Sequence, residues 1–307
     1  MEELIAKAEV LLEALPYMQR FAGRTVVIKY GGSAMLDEEL QRSFARDIVL
    51  LNSLGLHPII VHGGGPQIGE ELERRGIKTK FVRGLRVTDD ASMDIVEMVL
   101  AGRINKDIVT NIERHGGTAV GLSGKDGQLI CAEKMMIEAS DDGGPAQTID
   151  LGRVGKVKRI NPEVVVKLRD NHFIPVIAPI GVDEAGRSYN INADLAASEI
   201  ARALGAEKLI LLTDVAGIFD TEGRPQPFIE VAEARRQVEA GVIEGGMVPK
   251  VECSISALEG GVGQVHIIDG RVSHAVLLEI FTRKGVGTEI VRTPGGGQSN
   301  SEQTQAS

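Results

Sequence analysis

Two lysines in this sequence stand beside paired glycines. Lys29 lies in Lys29-Tyr30-Gly31-Gly32-Ser33, and Lys250 in Gly245-Gly246-Met247-Val248-Pro249-Lys250. A lysine at a strand end reaches the same anion as the N–H groups of the turn that follows, and glycine allows the close approach. Glycines that open a helix, with a lysine in its first turns, make a second anion site. Each has a plain alternative: a tight turn with an exposed lysine, or a solvated helix residue. Between them in the chain comes His62-Gly63-Gly64-Gly65-Pro66, three glycines after an apolar run and before a helix. Such a run forms a nest for phosphate or carboxylate at the helix N-terminus, or else a structural turn. An esterase oxyanion loop would need a G-x-S-x-G elbow, and Gly121-Leu122-Ser123-Gly124 misses that spacing.

Three further runs carry polar groups in suggestive places. Arg86, in Gly84-Leu85-Arg86-Val87-Thr88-Asp89, follows a glycine turn and precedes a helix. Its guanidinium suits a substrate carboxylate, or it pairs with Asp89 or Asp90 at the surface. Asn190-Ile191-Asn192-Ala193-Asp194 sets two amides and an acid before a helix of small residues. Asp194 is either a helix-start acid near the macrodipole or an orienter of the lysines, with Asn190 a substrate amide. Leu211-Leu212-Thr213-Asp214-Val215-Ala216-Gly217 ends an apolar strand in Thr-Asp and a glycine turn, and ligands of open α/β sheets sit at that edge. No G-x-x-x-x-G-K-[ST] loop, complete G-x-G-x-x-G, H-E-x-x-H or paired CxxC occurs, so a protein-caged zinc is not expected.

The elements that must position these residues alternate. A helix is expected over 2–15, with Pro16 as its kink or stop. Strand, glycine turn and helix then follow twice: strand 25–30 with helix 37–54, and strand 57–62 with helix 66–75. Residues 88–115 read as helical and 119–122 as a short strand. Residues 125–160, polar and glycine-rich around Asp141-Asp142-Gly143-Gly144-Pro145, read as hairpins over the sheet. The second half continues with strands 173–180, 208–213 and 264–268 and helices 193–204, 231–240, 248–260 and 274–281. The pattern is α/β with a mainly parallel sheet.

At 307 residues, the length fits about two domains. The seam is expected near 181–190. That gives an N-terminal lobe at 21–185, a C-terminal lobe at 186–294, and a disordered glycine-rich tail at 295–307. A net charge of −9 and only 3% aromatic residues argue against a nucleic-acid partner. No apolar stretch is long enough to span a membrane. The acidic N-terminus is unlike a signal peptide, and Cys131 and Cys253 fit a reduced, cytoplasmic protein.

In order, KYGGSAM, HGGGP, GLRVTD, NINAD, LLTDVAGI and GGMVPK resemble the amino acid kinase family over residues 24–292. Within it, the resemblance is to members that phosphorylate the side-chain carboxylate of N-acetyl-L-glutamate in arginine biosynthesis. It implies an open three-layer αβα sandwich whose N-terminal half binds the acylated amino acid and whose C-terminal half binds ATP. It further implies that Lys29 and Lys250 flank the transferring phosphoryl group and that Asp194 holds both ammonium groups. Gly31, Gly32 and Gly64 would bind phosphoryl oxygens. Gly64, Gly65, Arg86 and Asn190 would bind the amino acid, and Thr213, Asp214 and Gly217 would line the nucleotide site. The metal, Mg²⁺, would ride on ATP rather than in a protein cage.

The helix before Lys29 resembles the mobile helix of arginine-inhibited members, where such helices join dimers into a hexameric ring. The segments 266–271 and 278–288 resemble their arginine site, so Tyr17, His266, Glu279 and Gly285 are expected around an L-arginine effector. The plain alternative is a helix that caps the core and a surface glutamate. A kinase for N-acetyl-2-aminoadipate or a carrier-linked analogue is one alternative, and a non-catalytic amino-acid sensor is another. The sequence leaves room for a regulatory signalling partner and establishes none.

Overall fold

The computed structural model describes residues 1–139, 147–282 and 285–292. The stretch Asp141-Asp142-Gly143-Gly144-Pro145 of the expected hairpins, the tail 295–307 and Arg283-Lys284 lie outside these residues. The first helix, α1 (Glu2–Phe21), leads into β1 (Thr25–Tyr30), α2 (Glu38–Ser53), β2 (His57–His62) and α3 (Gly65–Arg74). The short strands β3 (Phe81–Val82) and β4 (Leu85–Arg86) follow, then α4 (Asp90–Glu97), a π-helical stretch (Met98–Ile104) and α5 (Asn105–Arg114). Next come β5 (Ala119–Ser123), β6 (Ile130–Ala139), β7 (Gln147–Ile160), α6 (Glu163–Asp170), β8 (Ile174–Ala178), β9 (Ile180–Val182) and β10 (Ser188–Ile191). The remainder is α7 (Ala193–Ala203), β11 (Lys208–Thr213), β12 (Phe228–Glu230), α8 (Val231–Glu239), α9 (Met247–Glu259), β13 (Gln264–Asp269), α10 (Ala275–Phe281) and β14 (Gly287–Val291).

Eight strands form one sheet in the order β12-β14-β13-β11-β1-β2-β8-β5. All its pairings are parallel except β13 with β14. The two halves of the chain therefore share a sheet, joined where Val26 to Lys29 lie beside Lys208 to Leu211. Alternation along β1 decides what faces where. Val26, Ile28 and Tyr30 enter a core under α2, α5 and α10, and Val27 enters the opposite core under α7 and α9. Side chains of a strand alternate between faces, so Lys29 shares the face of Val27 and points at α7 and α9. This is the expected three-layer αβα sandwich.

The polar region after β5 is one long antiparallel hairpin, β6 with β7, closed into a small barrel by β9 and β10. Ser188 pairs with Val182, so the β9–β10 hairpin spans the seam expected between 185 and 186. Pro16 does not stop the first helix, which runs through it to Phe21. Proline lacks the N–H that would bond back to Leu12, yet its φ is helical, and Phe21, only 2% exposed, anchors the helix end in the core. The apolar stripe of α1 is not covered: Ile5, Val10, Leu11, Leu12 and Leu15 are exposed. No helix among the described residues is long and apolar enough to cross a membrane.

Ile28, fully buried at the centre of the sheet, is a direct probe of this packing. Ile28→Ala should cost about 2–5 kcal/mol of unfolding free energy in urea denaturation. A cost under about 1 kcal/mol would mean that the two halves do not pack through β1.

Candidate active site

The carboxyl ends of β1 and β2 carry the two glycine turns, which lie against each other. A Cβ on Gly63 would sit 3.8 Å from the Cα of Gly31, and the Gly63 N–H donates to the Tyr30 carbonyl at 2.8 Å. Gly31 is in extended backbone, so its reason for being glycine is space: a Cβ would meet the Lys29 Nζ at 2.7 Å. Gly32 has φ +71, a left-handed conformation that suits glycine. Asp214, at the end of β11, accepts from the Ser33 N–H at 2.7 Å and so ties this turn to the second half of the chain.

Lys29 reaches across to α7. Its Nζ lies 3.2 Å from Asp194 Oδ1 and donates to the Leu212 carbonyl at 3.5 Å. On the other side, Lys250 Nζ from α9 donates to Asp194 Oδ2 at 2.5 Å. Asn192 caps α7 by accepting from the Asp194 and Leu195 N–H groups, which fixes the acid in the first turn. All three side chains are nearly buried, at 10%, 9% and 14% exposure for Lys29, Asp194 and Lys250. Burial alone would raise the Asp194 pKa, but Lys29 and Lys250 hold the carboxyl below its usual range. Burial pushes the Lys29 ammonium down, against the pull of Asp194. Lys250 is thus no solvated helix residue, nor Lys29 an exposed turn residue.

Beside the glycine turns opens a cleft of about 190 Å³, lined by Gly64, Gly65, Arg86, Asn190, Asn192 and Leu100 among others. Four residues singled out from three separate motifs, Gly64, Gly65, Arg86 and Asn190, meet here. Arg86 is 8% exposed, donates to the Gly65 carbonyl at 2.8 Å and to Thr79 Oγ1 at 3.1 Å, and its guanidinium lies 4.7 Å from the Phe81 ring centroid. It does not pair with its acidic neighbours. Asp89 instead caps α4 through Ser92, and Asp90 pairs with Arg153. The expected nucleotide edge is more mixed. Thr213 lies at the end of β11, while a Cβ on Gly217 would strike Thr288 Oγ1 at 2.4 Å, so this glycine backs onto β14.

A second buried polar cluster occupies the far end of the same strands. His266 Nδ1 lies 2.6 Å from Glu279 Oε1, and Lys208 Nζ lies 2.9 Å from His266 Nε2 and 5.2 Å from the Phe21 ring centroid. Glu279 also accepts from the Val286 N–H at 2.7 Å, and Gly285 leaves it room. Burial lowers the Lys208 pKa to about 8. Tyr17 packs on the neighbouring core one helical turn before Phe21. Lys208 was not expected here; its signal was a lysine opening an apolar strand, Lys208-Leu209-Ile210-Leu211-Leu212. His62 and Asn105, both fully buried and in contact with each other just behind Gly63, also escaped the sequence reading.

Among the described residues, no three His, Cys, Asp or Glu side chains are grouped to hold a metal ion. Asp194 has both oxygens turned to ammonium groups, which leaves it poorly suited as a metal ligand.

The model of the amino acid kinase family matches residues 24–269. An acetylglutamate kinase of Geobacter metallireducens is 56% identical over 292 residues, which is 95% of this chain and 100% of that relative. Among solved structures, the N-acetylglutamate synthase from Neisseria gonorrhoeae complexed with coenzyme A and N-acetyl-glutamate is similar with a TM-score of 0.81 at 26% identity. That match covers 93% of this chain and 63% of the synthase, so this chain spans less than two thirds of its length. The same synthase complexed with coenzyme A and L-arginine matches with a TM-score of 0.76 at 26% identity, over 92% of this chain and 65% of the synthase. Fold, site geometry and relatives agree: the chain belongs to the amino acid kinase family, among its acetylglutamate kinases.

Proposed function

We propose that this chain transfers the γ-phosphoryl group of ATP to the side-chain carboxylate of N-acetyl-L-glutamate, in arginine biosynthesis, with Lys29, Asp194 and Lys250 at the point of transfer. The observation that carries the residue roles is the pair of ammonium groups held on one buried carboxylate beside the glycine turns. Phosphoryl transfer spreads negative charge over the moving group, and catalysis is mostly positioning and charge neutralisation. Lys29 faces the phosphoryl from the acceptor side and Lys250 from the nucleotide side, while Asp194 keeps the two apart and aimed. The N–H groups of Gly31, Gly32 and Gly64 supply further donors.

The acceptor carboxylate is already ionised at neutral pH, so no general base is needed. Gly64, Gly65, Arg86 and Asn190 hold the acylated amino acid in the cleft. A guanidinium has five N–H donors, and two bonds to protein leave others for a substrate carboxylate. Thr213, Asp214 and Gly217 belong to the nucleotide edge, where Asp214 also braces the first glycine turn. The metal ion is proposed to be Mg²⁺, carried on the ATP phosphates, where it offsets their charge. The unpaired Cys131 and Cys253 fit a cytoplasmic enzyme.

Feedback by L-arginine completes the reading. Glu279 supplies a carboxylate for a guanidinium, with His266, Lys208 and Gly285 around it and Tyr17 on the adjoining helix. The exposed apolar stripe of α1 fits packing between dimers of this chain into a hexamer.

Three measurements test these assignments. ADP formation from Mg-ATP should be faster with N-acetyl-L-glutamate than with N-acetyl-L-2-aminoadipate. The pocket gains about 1–3 kcal/mol per methylene at most, so the reverse preference would move the enzyme to the longer acid. Lys250→Ala should lower kcat by orders of magnitude with a smaller change in KM for ATP, and a near-normal kcat would remove Lys250 from the transfer. Deleting residues 1–20 should abolish hexamers and weaken arginine inhibition; unchanged inhibition would sink the regulatory reading.

The triad also predicts a pH signature in stability. Asp194 is held below its ordinary pKa of 3.8, so its contribution is present above that value and is lost as pH falls through the lower folded value. Asp194→Asn should therefore destabilise the protein by about 3–5 kcal/mol at neutral pH, with the gap to wild type closing only below about pH 4. A gap that closes near pH 6 would contradict the assignment.

A further inference from the structure

The site as described uses no histidine, yet His62 lies fully buried at the end of β2, immediately before Gly63, which lines the cleft. Its Nδ1 is 2.8 Å from the Gly63 carbonyl oxygen, and its Nε2 is 3.2 Å from Asn105 Nδ2. A carbonyl only accepts, so Nδ1 carries the ring hydrogen and Nε2 accepts from Asn105. Burial lowers the ring's pKa to about 4, which keeps it neutral. The Asn105 amide is oriented the same way by its other partners. Its Nδ2 also lies 3.2 Å from the Leu122 carbonyl and 2.9 Å from the Val176 carbonyl, so its two hydrogens serve three acceptors with one shared, and its Oδ1 accepts from Lys106 Nζ at 3.0 Å. Gly121 makes room for that amide, since a Cβ there would come within 1.9 Å of Asn105 Oδ1.

A trans peptide points its C=O and N–H to opposite sides. The Gly63 carbonyl is drawn inward to the His62 ring, so the N–H of Gly64, in the same peptide unit, is turned away from the core. Gly64 lines the cleft. Asn105 reaches the His62 ring from a helix that widens into a π-helical stretch over Met98–Ile104, directly before it. A π turn shifts the register of the residues that follow. The same stretch brings Leu100 and Ile104 against Gly64, where a Cβ would come within 2.7 and 2.5 Å of them.

We propose that His62 and Asn105 are positioning residues for phosphoryl transfer: Asn105 fixes the His62 ring as an Nδ1–H donor, and the ring fixes the Gly63–Gly64 peptide with its N–H aimed at the reacting group. The proposal rests on the kinase reading above and deepens it. Neither side chain touches substrate, and the histidine transfers no proton.

Two substitutions separate positioning from packing. His62→Asn keeps an N–H close to Nδ1 but loses volume, whereas His62→Phe keeps the ring shape and has no donor. Positioning predicts that kcat falls about a hundredfold in His62→Phe and about tenfold or less in His62→Asn, with KM for ATP within about twofold in both. Packing alone predicts the opposite order, because phenylalanine is the closer shape, and that result would overturn the proposal. Absence of ADP formation by the wild-type enzyme would instead overturn the kinase reading, and with it the catalytic part of this proposal. The tautomer is tested without turnover, from the ring nitrogen shifts in NMR. They should report protonated Nδ1 and no titration between about pH 5.5 and 8, and Asn105→Ala should weaken that preference. A His62 ring that titrates in this range would refute the fixed donor.

Discussion

Asp194 holds two ammonium groups at once in a nearly closed site, and much of the molecule is arranged so that it can. An isolated buried charge is costly, and a buried carboxylate shared by two lysines is tolerable because each ion is compensated. The set retains an excess of positive charge, which a transferring phosphoryl group would balance. Its members come from β1, α7 and α9, elements from both halves of the chain. The charge cluster and the union of the halves are thus one feature. Gly31 follows from it as well, since any side chain there would collide with the Lys29 ammonium.

The shared sheet makes this geometry rigid. β1 lies between β2 and β11, with Val26, Ile28 and Tyr30 locked in one core and Val27 in the other. The only direction left for Lys29 is toward α7. The same sheet serves the second polar cluster. β11 begins with Lys208, beside His266, and ends with Thr213, just before Asp214 braces the first glycine turn. Five residue steps along a strand separate the two ends, roughly 16 Å. A polar cluster bordered by α1 and α10 therefore stands on the same rigid strand as the proposed transfer site.

The regular elements were readable because local chemistry fixed them. The strands at 25–30, 57–62 and 208–213 are built on apolar runs, Val26 to Ile28, Pro58 to Val61 and Leu209 to Leu212, and end in glycine or Thr-Asp; the helices between them carry caps such as Asp37 and Asn192. Pro16 was misleading because proline's local cost was outweighed by the burial of Phe21 beyond it. The hairpin β9–β10 crossed the expected seam because strand pairing, not a glycine-rich turn, decides which body a segment joins.

Residue types and spacing by themselves marked the groups proposed for the anion site: two lysines beside glycines and an arginine after a turn, with a helix-start acid to orient the lysines. They also determined a parallel α/β sheet, because hydrophobic period and turn chemistry are local. Only the tertiary structure decided that Lys29 and Lys250 share one carboxylate, and that Arg86 turns to Gly65 and Thr79 rather than to Asp89. Only it set Asn105 against the His62 ring that holds the Gly63 carbonyl, and Lys208 against His266. Apart from those of Arg86 and the His62–Gly63 bond, those contacts join residues from 43 to 165 positions apart. No local preference encodes such a distance; it is settled by which strands lie side by side and by the face to which each side chain is turned.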